Sequence, residues 1–200
     1  WVNLNSEKRV NTLLVVADIA KICSALPPID KEPTSWIPYV AMYSGLRLEE
    51  ICRLRAKDII FKDGVYLYDI NNDIGRLKTK SSVRYVPVHK VLIDMGLIRF
   101  MTAISEENNL WGLHCTKYGW SKMYGKKFGW FLRKHAKITD KNKCFHSFRH
   151  SFSYKLKTAG VNEKLIAQLM GHANNNISTG RYGADYPVKM AYDAVSLITY

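Results

Sequence analysis

The spacing of apolar residues changes at Gly64, and this change constrains the fold more than any other feature of the chain. Before Gly64, apolar residues recur three and four positions apart, which is typical of helices. From Gly64 onward, short β-like runs are separated by turn residues, and helical spacing then returns. The predicted strands span residues 65–70, 76–80 and 83–88. The predicted helices span residues 18–26, 36–43, 48–55, 89–102, 120–137, 147–159 and 163–170, followed by an amphipathic tail at 190–200. The sequence therefore predicts an α+β protein, mostly helical with a small three-stranded antiparallel sheet.

The charge of the chain points to a polyanionic partner. The 200 residues carry a formal net charge of +13. Residues 101–200 hold 15 Lys and Arg against 6 Asp and Glu, a net charge of +9, which leaves +4 for residues 1–100. Basic chains attract nucleic acids through counterion release and long-range electrostatics. A solvated, solubility-promoting surface is the plainer reading of the same charge, but tyrosines and histidines among the bases favour nucleic acid.

The composition excludes several classes of protein. Hydrophobic residues make up 47 % of the chain, and no apolar run has the length needed to cross a bilayer. The start of the chain lacks the basic and apolar regions of a signal peptide. The four cysteines form no C-x-x-C pair, so we expect reduced, mostly buried thiols in a cytoplasmic protein. A single domain over residues 1–200 fits this length.

The segment from His146 to His150 carries the strongest candidate chemistry. On a helix, positions i, i+3 and i+4 share a face, so His146, Arg149 and His150 are expected to project together. A guanidinium flanked by imidazoles suits a phosphate group. Further along, Gly171-His172 and Tyr182 follow, and a tyrosine hydroxyl can act as a nucleophile. The pattern therefore indicates covalent chemistry at a phosphate.

These motifs resemble the signature boxes of the tyrosine recombinases, the phage integrase family. The second box is matched by His146-x-x-Arg149-His150, by residues 169–172 and by residues 179–182. The first box is matched by residues 44–51, which contain Arg47. A family hairpin lysine is matched within residues 78–82, and the motif order holds from Val16 to Pro187. The resemblance thus covers nearly the whole chain.

The resemblance implies a site-specific recombinase or integrase catalytic domain that cleaves and rejoins DNA through a 3′-phosphotyrosyl intermediate. Tyr182 would be the nucleophile, Arg47 and Arg149 would clamp the phosphate oxygens, and His146 would accept the tyrosine proton or hold the phosphate. His172 would donate a hydrogen bond to a phosphate oxygen. Because the phosphotyrosyl link conserves the bond energy, neither ATP nor a metal ion is needed, and no cofactor is expected.

Two assignments in this pattern carry alternatives. Lys78 is assigned as the general acid for the leaving 5′-oxygen, with Lys80 one β-repeat away as the alternative. The segment between His172 and Tyr182 is one residue longer than the family spacing, so Tyr186 is the alternative nucleophile. His150 is assigned to packing or hydrogen-bond support. The predicted DNA-binding side chains are Lys80, Arg84, Lys126 and Lys127.

The resemblance also implies partners and a setting. We expect double-stranded DNA attachment sites as substrate, self-assembly into a tetramer on DNA, and a cytoplasmic phage or mobile-element protein of bacterial or phage origin. The family's N-terminal DNA-clamping domain is not recognised in these residues, so weak DNA binding is expected. The alternative functions are a type IB topoisomerase and a non-catalytic helix-turn-helix regulator. A zinc site at His146, His150 and His172 is disfavoured because it would set Arg149 beside the metal without carboxylate or thiolate ligands.

Overall fold

A computed structural model of the chain describes residues 12–73, 83–172 and 186–200, which divide into two compact units. The first unit comprises residues 1–54, 109–152 and 200, and the second comprises residues 55–108 and 153–199. The helix His146–Thr158, named α7 below, has residues in both units. Lys78, Lys80 and Tyr182 lie outside the described residues, as does the predicted strand 76–80.

The first unit is helical in its described parts. Its helices are α1 (Val16–Ala25), α2 (Trp36–Ser44), α3 (Leu48–Cys52), α6 (Ser121–Lys134) and the start of α7 (His146–Thr158). A short 3-10 turn, Pro33–Ser35, precedes α2. The sequence of α2 is apolar nearly all round, which predicts a buried helix, and its residues Trp36, Ile37, Val40 and Ala41 are indeed buried.

Helix α6 buries one apolar and aromatic face and exposes Lys126 and Lys127. Tyr124, Phe128 and Leu132 recur at four-residue spacing and are buried. The ring of Phe128 lies 5.0 Å from that of Phe145 and 5.8 Å from that of Phe148. Helical spacing predicts that these aromatics face the core, and their burial confirms it. The alternative interpretation, an aromatic ladder that stacks on single-stranded nucleic acid, is not supported at these positions.

The second unit contains the sheet and the remaining helices. Its elements are β1 (Ile59–Lys62), β2 (Val65–Ile70), β3 (Arg84–Pro87), α4 (Lys90–Asp94), α5 (Leu97–Thr102), α8 (Glu163–Met170) and α9 (Val188–Ser196). The described strands form an antiparallel sheet in the order β1-β2-β3. Tyr68 pairs with Ile59 on one side and with Val86 on the other, and all three are buried.

Two predictions about this unit were wrong in detail. The helix predicted over residues 89–102 is two helices, because Gly96 adopts a left-handed conformation with φ 96° between them. Strand β1 was missed, although Asp63-Gly64 is a strong hairpin signal. Both turn residues have positive φ, 53° and 76°, which fits the tight connection between β1 and β2.

Helix α8 begins and ends where the sequence predicted. The side chain of Asn162 accepts a hydrogen bond from the backbone N–H of Lys164 at 2.8 Å, which caps the N-terminus. Gly171 ends the helix in the left-handed conformation, with φ 60°. Leu165, Ile166, Leu169 and Met170 are buried, so α8 offers little surface for reading DNA bases as a helix-turn-helix recognition helix would.

Candidate active site

Arg47 lies directly before α3 and is held there by Glu50. The Glu50 carboxylate accepts hydrogen bonds from the backbone N–H of Arg47 at 2.8 Å and from its Nη1 at 2.6 Å. The side chain of Glu50 is 2 % exposed, whereas that of Arg47 is 25 % exposed. Arg47 therefore forms an ion pair with a neighbouring carboxylate, as a surface arginine commonly does, but the carboxylate of Glu50 is buried. This geometry holds the Arg47 guanidinium against Glu50 and leaves part of the Arg47 side chain open to solvent.

Arg149 is buried in the first turn of α7 and points toward the backbone turn that precedes Arg47. Its Nη1 donates a hydrogen bond to the carbonyl oxygen of Gly45 at 2.6 Å, across 104 positions of sequence. Gly45 has φ 62°, a conformation that favours glycine, and it stands two residues before Arg47. The fold thus brings the first-box and second-box arginines to one turn of the backbone.

His146 and His150 form an exposed pair on α7. Their rings lie 4.7 Å apart in an edge-to-face arrangement with an interplanar angle of 86°. The three side chains therefore do not project together as predicted. The imidazoles face solvent, whereas the Arg149 guanidinium turns inward to Gly45. Serine is a common helix cap, so the sequence predicts Ser147 as the cap of this helix. Its side chain instead accepts a hydrogen bond from the backbone N–H of Cys144 at 3.1 Å, and α7 already begins at His146.

Glu49 is a feature of this unit that sequence reasoning did not assign. Its two carboxylate oxygens accept hydrogen bonds from the backbone N–H groups of Trp120 and Ser121, both at 2.9 Å. A carboxylate at the N-terminus of a helix satisfies free N–H groups and interacts favourably with the helix dipole. Glu49 therefore joins α3 to the start of α6. The contact of the neighbouring Glu50 could have been recognised from the sequence, because Glu50 stands three residues after Arg47, the spacing of a capping box.

In the second unit, His172 follows the left-handed Gly171 at the end of α8. The backbone N–H of His172 donates to the carbonyl oxygen of Ala167 at 2.9 Å, and the side chain is exposed. This places the imidazole at a fixed helix terminus, as the motif Gly171-His172 predicted. The connection from His172 toward Tyr182 lies outside the described residues.

Tyr186, the alternative nucleophile, is held at the opposite end of α8. Its hydroxyl donates to the Asn162 side-chain oxygen at 3.2 Å, and its backbone N–H donates to the side-chain oxygen of Gln168 at 3.0 Å. Asn162 is the N-cap of α8, whereas His172 follows its C-terminus. With a rise of 1.5 Å per residue, an eight-residue helix separates its two ends by roughly 12 Å. This contact argues against Tyr186 as the nucleophile beside His172.

The predicted DNA-binding side chains differ in their exposure. Lys126 and Lys127 are exposed on α6, where Lys127 lies 3.4 Å from Glu32 in a surface ion pair. Arg84 is 8 % exposed, and its Nε donates to the carbonyl oxygen of Leu169 at 2.8 Å. Because its guanidinium lies in the protein interior, the structure favours a structural donor at Arg84 over a direct DNA contact.

The prediction of mostly buried cysteines was wrong. Cys52 is buried and Cys23 is half-buried, but Cys115 and Cys144 are exposed, and all four are free thiols. Apolar neighbours in sequence do not determine burial, because exposure depends on which elements pack over a residue. In the part of the chain that the structure describes, no helix combines the length and apolar character needed to span a bilayer.

The family model named "Phage integrase family" matches residues 14–187. The chain belongs to the phage integrase family. The match spans most of the chain, including the segments that carry Arg47, Arg149 and His172, and it confirms the identification as a tyrosine recombinase catalytic domain. The predicted fold class, mostly helical with a three-stranded antiparallel sheet, is confirmed as well.

The chain is also similar to known recombinases in sequence and to solved structures in fold. Tyrosine recombinase XerA of Thermococcus onnurineus is 24 % identical over 158 residues, which cover 78 % of this chain and 52 % of the relative. The chain thus spans about half the length of the curated relatives it matches. The fold is similar to that of the Tn1549 transposon integrase in complex with circular intermediate DNA, with TM-score 0.60 and 23 % identity over 82 % of this chain and 60 % of that one. The integrase from mycobacterium phage Brujita has TM-score 0.62 and 13 % identity over 91 % of this chain and 56 % of that one.

Proposed function

We propose that this phage integrase family domain cleaves and rejoins double-stranded DNA at a defined site through a 3′-phosphotyrosyl intermediate. The Tyr182 oxygen attacks the scissile phosphorus as the bond from phosphorus to the 5′-oxygen breaks. The tyrosine proton passes to His146, and Lys78 protonates the departing 5′-oxygen. A 5′-hydroxyl reverses these steps when it attacks the phosphotyrosine, so the reaction requires no external energy source.

The observation that carries this proposal is the hydrogen bond from Arg149 to Gly45, two residues before Arg47. The Arg149 guanidinium is hydrogen-bonded to this turn, and that of Arg47, two residues further on, is held by Glu50. Two such groups are suited to a phosphate whose non-bridging oxygens gain charge in the transition state. The buried carboxylate of Glu50 orients Arg47 before substrate arrives. Preorganised donors of this kind stabilise the transition state without reorganisation during the reaction.

The other proposed groups are His172, Lys78 and Tyr182. In this proposal residues 1–200 act as one catalytic domain, and His172 donates to a phosphate oxygen. The exposed Lys126 and Lys127 contact the DNA backbone. The partners are attachment sites in duplex DNA and further copies of the chain, assembled as a tetramer. A phage or other mobile element is the proposed source, in keeping with the integrases to which the fold is similar.

A suicide substrate tests the chemistry directly. A nick placed next to the scissile phosphate lets a short product diffuse away, so the covalent intermediate accumulates. We expect a protein–DNA adduct that survives denaturing electrophoresis and is absent for Tyr182→Phe. Tyr186→Phe is the matched control and should retain the adduct, because its hydroxyl is hydrogen-bonded to Asn162. An adduct that persists in Tyr182→Phe and disappears in Tyr186→Phe would contradict the assignment of the nucleophile.

The general acid is tested with a modified leaving group. A bridging 5′-sulfur leaves as a thiolate and needs no proton, so it removes the requirement for an acid. Cleavage of this substrate should be restored in Lys78→Ala, and Lys80→Ala is the matched control. Restoration in Lys80→Ala alone would transfer the role to Lys80. Arg149→Ala should cleave both substrates at least about 100-fold more slowly than the unaltered chain, because it removes stabilisation of the phosphate itself.

A further inference from the structure

Arg84 is a buried cation that the proposed mechanism does not use. It is the first residue of β3 and pairs across the sheet with Ile70 of β2. Its side chain is directed away from solvent, with the residue only 8 % exposed. Burying a guanidinium is unfavourable unless it is hydrogen-bonded, so the hydrogen-bond partners of Arg84 within this unit indicate what it stabilises.

Arg84 contacts the C-terminal end of α8. Its Nε donates to the carbonyl oxygen of Leu169 at 2.8 Å. Leu169 is the penultimate residue of the helix, and the last four carbonyls of a helix have no partner within it. A cation at this end also interacts favourably with the helix dipole. Arg84 therefore holds the helix terminus by both a directed hydrogen bond and its charge.

The same guanidinium lies against Gly171. A β-carbon built on Gly171 would come within 2.7 Å of Arg84 Nη1 and 2.9 Å of its Cζ. Gly171 is also left-handed, with φ 60°. The turn that leads into His172 is thus packed on the Arg84 side chain, and its left-handed conformation favours glycine at this position.

His172 takes its direction from this turn. Its backbone N–H is bonded to the Ala167 carbonyl at 2.9 Å, so one hydrogen bond from the helix and one packed glycine determine where its side chain begins. A displacement of about 1 Å in a group that contacts the reacting phosphate can lower a rate by roughly 100-fold. Control of the helix end by Arg84 is therefore control of the imidazole position.

We propose that Arg84 is a positioning residue for His172, which joins strand β3 to the end of α8 so that the imidazole reaches the phosphate. This inference rests on the proposed function, in which His172 contacts the scissile group. Arg84 itself touches no DNA in this scheme. Its effect should therefore disappear when His172 can no longer act.

A double-mutant cycle tests this dependence on the suicide substrate. Arg84→Met should lower the single-turnover cleavage rate by roughly 10-fold to 100-fold at saturating protein. In the His172→Asn background, Arg84→Met should change the rate by less than about threefold, because interacting residues are not additive. Arg84→Lys, which keeps the charge and one donor, should recover part of the loss.

Arg55→Met is the matched control for loss of a buried arginine from the same unit. Arg55 donates to Asp58 at 2.8 Å and is 6 % exposed. Arg55→Met should change the cleavage rate by the same factor in the unaltered and the His172→Asn backgrounds. The described ion pairs of Arg55 involve Asp58, Asp73 and Glu107 and not α8. Losses from Arg84→Met that are fully additive with His172→Asn would overturn the proposal. If Arg84→Met instead raised the dissociation constant for DNA and made binding less dependent on salt, Arg84 would be a phosphate contact, and the proposal would also be overturned.

A second measurement separates this inference from the proposed function. The imidazole proton resonance of His172 is assigned by its loss in His172→Asn, with no DNA present. Arg84→Met should shift or broaden this resonance and leave that of the exposed His114 unchanged. An unchanged His172 resonance in a folded Arg84→Met protein would overturn the positioning role. Failure of the unaltered chain to form an adduct would count against the proposed function alone.

Discussion

Arg149 donates a hydrogen bond from Nη1 to the carbonyl oxygen of Gly45 at 2.6 Å, and the two residues are 104 positions apart in sequence. This contact joins the first turn of α7 to the turn that precedes α3. Because Gly45 is left-handed, its carbonyl faces a direction that continued helix would not allow. The proposed phosphate clamp therefore depends on a backbone conformation as well as on two arginine side chains.

Substitution of Gly45 by alanine should be strongly destabilising. A β-carbon there would overlap the buried ring of Phe152, and the residue has φ 62°. We expect a loss of roughly 2–5 kcal/mol in the free energy of unfolding, from the left-handed conformation and from overpacking together. Chemical denaturation followed by circular dichroism measures the change.

Gly64→Ala is the matched control for that experiment. Gly64 has φ 76°, but a β-carbon there would meet no atom within 4 Å. Its loss should be about 1–2 kcal/mol, the conformational part alone. Equal losses at the two positions would show that the Phe152 contact is not responsible for the difference.

Replacement of Glu50 by glutamine should affect both folding and activity. The carboxylate is 2 % exposed and accepts two hydrogen bonds from Arg47, which the neutral amide cannot match. We expect a loss of about 1–3 kcal/mol in the free energy of unfolding, together with slower adduct formation on the suicide substrate. Glu163→Gln is the control, since Glu163 is 84 % exposed in its pair with Lys157 and should change stability by less than about 0.5 kcal/mol. Normal cleavage by a folded Glu50→Gln protein would argue against orientation of Arg47 by Glu50.

His89 should make the second unit sensitive to mild acid. Burial lowers the pKa of His89 below its ordinary value, while the backbone carbonyls of Ile198 and Ser196 act in the opposite direction. Its Nδ1 accepts a hydrogen bond from the backbone N–H of Val91 at 3.1 Å, which caps α4. Protonation of Nδ1 removes that acceptor. Because the folded-state pKa is depressed, the unfolded state binds the proton more readily, and stability falls as pH drops below about 6.5.

His89→Asn isolates this contribution, because an asparagine oxygen can cap the helix without titrating. The melting temperature of the unaltered protein should fall more between about pH 7.5 and about pH 5.5 than that of His89→Asn. His114→Asn, at an exposed histidine, should behave like the unaltered protein. A pH dependence that is the same in all three proteins would contradict the role of His89.

The cysteines should differ in reactivity with iodoacetamide. Burial raises the pKa of the Cys52 thiol, which also has no exposed surface, so it should resist alkylation in the native state. Cys115 and Cys144 are exposed and should be modified first, as measured by peptide mass spectrometry. Modification of all four in concentrated urea is the control. Rapid native labelling of Cys52 would indicate local opening around α3.

Local signals in the sequence predicted local structure well. Helix α8 was predicted with its correct ends because Asn162 and Gly171 act on their own immediate backbone. The break at Gly96 was missed because apolar residues with helical spacing lie on both sides of it. Strand β1 was missed for a similar reason, since its short apolar run lacks a clear period and its partner strand determines its conformation.

The sequence alone determined the family and the identity of the candidate groups, because the residue types and their order in the motifs around Arg47, Arg149 and His172 are written in the chain itself. Tertiary structure decided how these groups are held. Helical periodicity states which side chains share a face, but what packs against that face is set by residues about 100 positions away. Arg149 therefore turns inward to Gly45, and Arg84 is buried against Leu169, because in a folded interior each guanidinium must meet an acceptor to offset its loss of water.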